Sequence, residues 1–119
     1  MKSTTNQQPP NPGTINNDPE WLKGIKDAKD RFFDIIKHDK QAAQRTIVEL
    51  GFASQIINDL KKGEKLRQCD RISIMNAVIN VARTGITLNP VLGLAHLINR
   101  GGECHLHFDY KGLVKILKD

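Results

Sequence analysis

Two adjacent glycines, Gly101 and Gly102, stand between "LAHLINR" and "ECHLHF", and no other feature narrows the fold as much. Each flank alternates apolar and polar side chains, the signature of a strand with one buried face. A two-residue connection between antiparallel strands is best made by a type I′ turn. That turn needs positive φ at both central positions, which glycine adopts without steric cost. If the pair is the turn, Arg100 faces Glu103, Ile98 faces His105 and His96 faces His107. His96, His105, His107, Arg100 and Glu103 then share one face of the hairpin, and Ala95, Leu97, Cys104, Leu106 and Phe108 share the other, the core side. A four-residue loop would preserve this partition and a three-residue loop would destroy it.

The chain before Gly85 follows a helical period instead. "DPE" at 18–20 offers Asp18 as N-cap, Pro19 at the first helical position and Glu20 beside the positive helix end. Trp21, Leu22, Ile25, Ala28, Phe32, Phe33, Ile35 and Ile36 then repeat at helical spacing. From Asp18 to Asp39 the chain carries five basic and six acidic residues, so this helix has a solvated face of mixed sign and adds nothing to the basic excess. A second helix is predicted from Gln41 to Lys61, with Ala43, Ile47, Val48, Leu50, Ile56, Ile57 and Leu60 inward, a possible break at Gly51 and a left-handed C-cap at Gly63. A third runs from Asp70 or Ser73 to Gly85 and buries Ile74, Met75, Val78, Ile79 and Ala82. After the hairpin, "DYKGLVKILKD" returns to helical spacing. The fold class is therefore α+β: N-terminal helices, a β-hairpin and a C-terminal helix.

Composition bounds the domain organisation. Residues 1–17 hold four Asn, two Gln and three Pro, with Ile15 as the single apolar side chain worth burying. Such a stretch cannot offset its own ordering entropy, so it reads as a disordered polar tail ahead of one domain, 18–119. It has no apolar h-region, and no run in the chain reaches the roughly 20 apolar residues that span a bilayer. Two cysteines without CxxC spacing make neither a disulfide scaffold nor a zinc motif. These features read as a soluble, cytoplasmic, reduced protein that needs no cofactor and has no membrane partner. The net charge of +5 and the pI near 9.4 lean toward polyanionic partners. The charge concentrates at Lys61, Lys62, Lys65, Arg67 and Arg71.

Three of the four histidines fall on the hairpin, and they open an enzymatic alternative. His105 and His107 on one strand with His96 on its neighbour have the residue types of a three-His zinc site with water in the fourth position. Only Glu103 is near enough in sequence to serve as its general base. The competing readings are a polar strand face that happens to be rich in His, and a face that takes part in binding. Cys104 falls on the inner face and reads as a buried, inert thiol. Cys69 lies in the basic segment, where neighbouring Lys and Arg would depress its pKa.

Several short motifs in order carry a family resemblance. "ARTGI" with Pro90, then "LGLAHLI", then "DYKGLV" at 109–114 resemble the motifs of the RecT family of phage-type single-strand annealing proteins, and "GEKLRQCDRISIMNAVINVARTG" is similar to the segment upstream of them. The resemblance covers roughly residues 45 to 119. It departs from the family pattern where His96 or Leu97 replaces an aromatic residue and where Asp109 replaces a glycine. It implies single-stranded DNA binding, assembly into homo-oligomeric rings or filaments, and strand annealing in homologous recombination and repair. A phage exonuclease is a partner to test for. The absence of a GxxxxGK[ST] loop agrees with annealing that hydrolyses no ATP. Because family members continue beyond the helix after the hairpin, the resemblance also implies an incomplete core. The remaining alternative is a fragment that oligomerises without binding DNA.

Annealing requires that a strand be held by its backbone while its base edges stay available. Lys111, beside the N–H groups that open the last helix, suits a phosphate. Gly112 permits close backbone approach, and Tyr110 can stack on a base or sugar. Arg100 at the hairpin tip, Arg83 near the end of the third helix, Lys115 and Lys118 complete the candidates. The competing role for Tyr110 is a half-buried ring closing the strand–helix corner. For Lys115 and Lys118 it is plain solvation.

Overall fold

The computed structural model describes residues 17–109. The predicted polar tail, apart from Asn17, and the predicted C-terminal helix lie outside the described residues. Within them three helices, α1 (Glu20–Ile36), α2 (Ala42–Asn58) and α3 (Arg71–Thr84), precede a hairpin of β1 (Ala95–Arg100) and β2 (Glu103–Phe108). A short 3₁₀ turn, Leu66–Gln68, separates α2 from α3. The α+β class and the element order agree with the sequence.

Helix α1 lies against both α2 and α3, and β2 packs on α3. The core runs through Ile25, Ala28, Phe32 and Ile36 of α1, Ile74, Ala77, Val78, Ile79, Val81 and Ala82 of α3, and Ala95, Leu97 and Cys104 of the hairpin. Burying a side chain the size of Phe32, which is fully inaccessible, contributes about 1.5–3 kcal/mol. The charged face of α1 forms the expected local pairs, Lys23 with Glu20 and Lys37 with Asp34.

The start of α1 differs from its sequence reading. Pro19, extended at ψ 158°, holds the cap position, and the N–H groups of Leu22 and Lys23 donate to its carbonyl. Asp18 caps nothing; its carboxylate accepts from the Lys26 ammonium at 2.6 Å. A long cation within reach competes for the carboxylate more strongly than an amide N–H does. The expected cap is present on α3, where Asp70 Oδ1 accepts from the Ser73 N–H at 2.8 Å and Gly85, at φ 74°, ends the helix in left-handed geometry.

Helix α2 corrects the sequence reading in three ways. It passes through Gly51 without a break and ends at Asn58, with Asp59 as C-cap. Gly63 has no positive φ; glycine is required there because an added Cβ would stand 2.1 Å from the Ile57 carbonyl oxygen. The inward stripe is Ala42, Thr46, Glu49, Ala53 and Ile57, whereas Ala43, Ile47, Val48 and Leu60 face outward. Apolar residues surround this helix, so periodicity alone does not select a face.

Candidate nucleic-acid interface

The hairpin has the register that its glycines dictate. Arg100 pairs with Glu103, Ile98 with His105, His96 with His107 and Ala95 with Phe108. Both turn glycines have positive φ, 64° and 89°. Cys104 and Leu97 are buried, and the outward face carries His96, His105, His107, Arg100 and Glu103, all exposed. The hairpin is anchored by polar bonds to the segment that leads into α3 and to the first turn of that helix. Asn99 Nδ2 donates to the Lys65 carbonyl at 2.7 Å, the Asp70 N–H to the Gly102 carbonyl at 3.2 Å, and the Cys104 N–H to Ser73 Oγ at 2.9 Å.

The three imidazoles share a face, but they do not converge. His96 Nε2 lies 3.6 Å from Asp109 Oδ2, and His105 Nε2 lies 3.5 Å from Glu103 Oε1. Among the described residues no group of three or more His, Cys, Asp or Glu side chains is placed to hold a metal ion. The three-His hydrolase reading loses its geometric basis: each of these two rings faces its own carboxylate instead of a common centre.

The cysteines also separate from catalysis. Both are buried. The expectation that basic neighbours depress Cys69 is overturned: its thiol is pushed up, first by burial and then by the nearby Asp70 carboxylate. Burial pushes Cys104 up to about 12. The Cys69 side chain is buried in the core, and its Sγ donates to the Lys65 backbone carbonyl at 3.8 Å.

Part of the basic cluster is structural. Arg67 reaches back to the end of α2, where Nη1 donates to the Ile57 carbonyl at 2.8 Å and the Asp59 carbonyl at 2.7 Å, satisfying acceptors that a helix end leaves open. Arg71 makes a two-bond contact to the Asp27 carboxylate, with Nε at 2.6 Å and Nη2 at 3.1 Å. Lys61, Lys62 and Lys65 remain exposed.

Of the predicted site residues, Arg100 is exposed at the hairpin tip and makes no ion pair among the described residues. Arg83 is exposed in the last turn of α3, where Nη1 donates to Asn80 Oδ1 at 3.1 Å. Tyr110, Lys111, Gly112 and Lys115 lie outside the described residues, as does Lys118. Strand β2 runs alongside α3 in the same direction, and a groove of ≈ 350 Å³ between them is lined by Ser73, Asn76, Asn80, Glu103, His105 and Leu106. Arg100 therefore stands at the start of α3 and Arg83 at its end, separated by roughly 18 Å of helix. The structure does not bring the two arginines together.

Sequence reading missed Glu49. This side chain is only 5% exposed, and Oε1 accepts from the Leu88 N–H at 2.8 Å, pinning the Ile86–Leu88 connector onto α2. Ile86 and Leu88 are fully buried, so the contact fixes where the chain leaves the helices and enters the hairpin. The available signal was its place in the Ala42–Thr46–Glu49–Ala53–Ile57 stripe.

The described residues form a helical scaffold that presents a two-stranded hairpin with Arg100 and Glu103 paired at its tip. The model of the RecT family matches residues 50–119, more than half of the chain, and the chain belongs to that family. No curated protein and no solved structure matches it at a significant level. The matched region begins inside α2 and takes in α3, the hairpin and the segment after it. RecT proteins act in recombination and strand annealing and are generally not hydrolases. No helix among the described residues is long and apolar enough to cross a membrane.

Proposed function

We propose that this chain binds single-stranded DNA and anneals complementary strands in homologous recombination without ATP hydrolysis. The observation that carries the reading is the family match over residues 50–119, which includes the hairpin and the segment leaving it. Phosphates are held by the cationic corner at Lys111, with Gly112 allowing close approach, Tyr110 stacking on a base or sugar, and Arg83 and Lys115 adding charge. Arg100 contacts a more distant stretch of backbone from the hairpin tip. Contacts of this kind fix the strand and leave base edges unread, which annealing requires. The protein works as a homo-oligomer in the cytoplasm, with a phage exonuclease as the source of its single strands. Phe33, Ile47 and Val48, exposed on α1 and α2, supply apolar surface for subunit contact.

Mixing the protein with two complementary oligonucleotides, one carrying a fluorophore and the other a quencher, tests the reading. Annealing faster than the spontaneous rate, without nucleotide, is expected. Spontaneous-rate annealing together with no single-strand affinity at low salt overturns it. Multimers by light scattering with the same lack of affinity would favour the oligomerisation reading.

A further inference from the structure

We propose that Cys69 and Cys104 form a reversible dithiol–disulfide pair, closed by exchange with a low-molecular-weight disulfide, that fastens the hairpin to the segment leading into α3. They are the chain's only cysteines. They lie 35 positions apart in sequence, and both are buried in the core. Two backbone links hold the surrounding chain in place. The Asp70 N–H, one residue after Cys69, donates to the Gly102 carbonyl, and the Cys104 N–H donates to Ser73 Oγ. Each thiol perturbs the other's ionisation, while burial, the larger cause, pushes both up, so the closed fold keeps the pair protonated.

Both side chains are nearly inaccessible, 3% and 4% exposed, so exchange waits on opening of the segment around the 3₁₀ turn. Cys69 sits at the end of that turn, outside any α-helix or strand, whereas Cys104 is held within β2. Cys69 is therefore the first nucleophile. Its thiolate attacks one sulfur of glutathione disulfide and releases one glutathione thiolate. Cys104 then gives up its proton and attacks the Cys69 sulfur of the mixed disulfide, expelling the second glutathione. The protein loses two protons and two electrons, and the oxidant becomes two thiols. Reclosing the segment favours this second step, because the Asp70–Gly102 and Ser73–Cys104 links draw the two stretches of chain back together. The proposal is independent of the DNA-binding reading.

The test uses the full chain under native conditions with glutathione disulfide, read by intact mass and by peptide mapping without reductant. A species lighter by about 2 Da, mapped to a Cys69–Cys104 link and reversed by dithiothreitol, is expected. Amide exchange over residues 95–108 should slow by about tenfold or more in the oxidised form. Stable glutathione adducts, a disulfide-linked dimer, reaction only in denaturant, or a link that leaves hairpin exchange unchanged would each overturn the proposal.

Discussion

Helices α2 and α3 are both rich in apolar residues, yet they use them differently. Helix α3 turns Ile74, Val78, Ile79 and Ala82 into the core, as its periodicity indicates. Helix α2 buries a threonine and a glutamate, and leaves Ile47 65% and Val48 42% exposed. The contrast teaches that an apolar stripe identifies a buried face only when the opposite face is polar. On α2 the deciding factor is a partner distant in sequence, the Leu88 N–H that needs an acceptor. The hairpin stands on the α3 side of this contrast, its inner face laid on a helix whose buried residues are all apolar.

The largest expected effect separates the two helices directly. Ile74→Ala should cost about 2–5 kcal/mol, because it opens a cavity at a fully buried site. Ile47→Ala on the outer face of α2 should change the stability of the isolated subunit by within about 0.5 kcal/mol. Denaturant unfolding measures both, and equal losses would dissolve the distinction. Glu49→Leu comes next: stranding the buried Leu88 N–H should cost about 1–3 kcal/mol, while Glu49→Gln, which keeps an acceptor, should cost less. If Leu and Gln prove equivalent, the carboxylate does not hold the connector.

A smaller effect concerns how α3 is tied to α1. Hydrogen bonding from Arg71 holds the Asp27 carboxyl below the usual carboxylate range. A depressed folded-state value means that the pair stabilises above roughly pH 4, the unfolded range, and that the contribution is lost as pH falls through the folded value. Asp27→Asn should therefore flatten the stability–pH curve below about pH 4. Parallel curves for the two proteins would show that this solvent-exposed contact adds nothing.

The hairpin was legible in the sequence because two local signals agree: strict alternation sets the faces, and Gly101–Gly102 fixes the register. The Asp70 cap and the Gly85 stop of α3 were legible for the same reason, since each involves residues only a few positions apart. Asp18, Gly63, Cys69 and Glu49 were not. Asp18 is claimed by Lys26, Gly63 is forced by a carbonyl on the preceding helix, Cys69 turns toward the core, and Glu49 serves an amide 39 positions away. Each answers to a neighbour that pattern does not reveal. The basic segment was legible as charge but not as purpose, because Arg67 and Arg71 hold helices together while the lysines face solvent. Of the site, Arg83 and Arg100 are both exposed, toward opposite ends of α3, a separation that local pattern does not reveal.

The most direct measurement of the central claim is the salt dependence of single-strand affinity, measured by fluorescence anisotropy with Lys111→Ala beside the unsubstituted chain. The account predicts binding that weakens linearly with the logarithm of salt concentration. The variant should bind less tightly by a similar factor on oligonucleotides of different sequence, with a slope shallower by about 0.7 to 1. An unchanged slope would remove Lys111 from the contact, and no affinity at low salt would contradict the account itself.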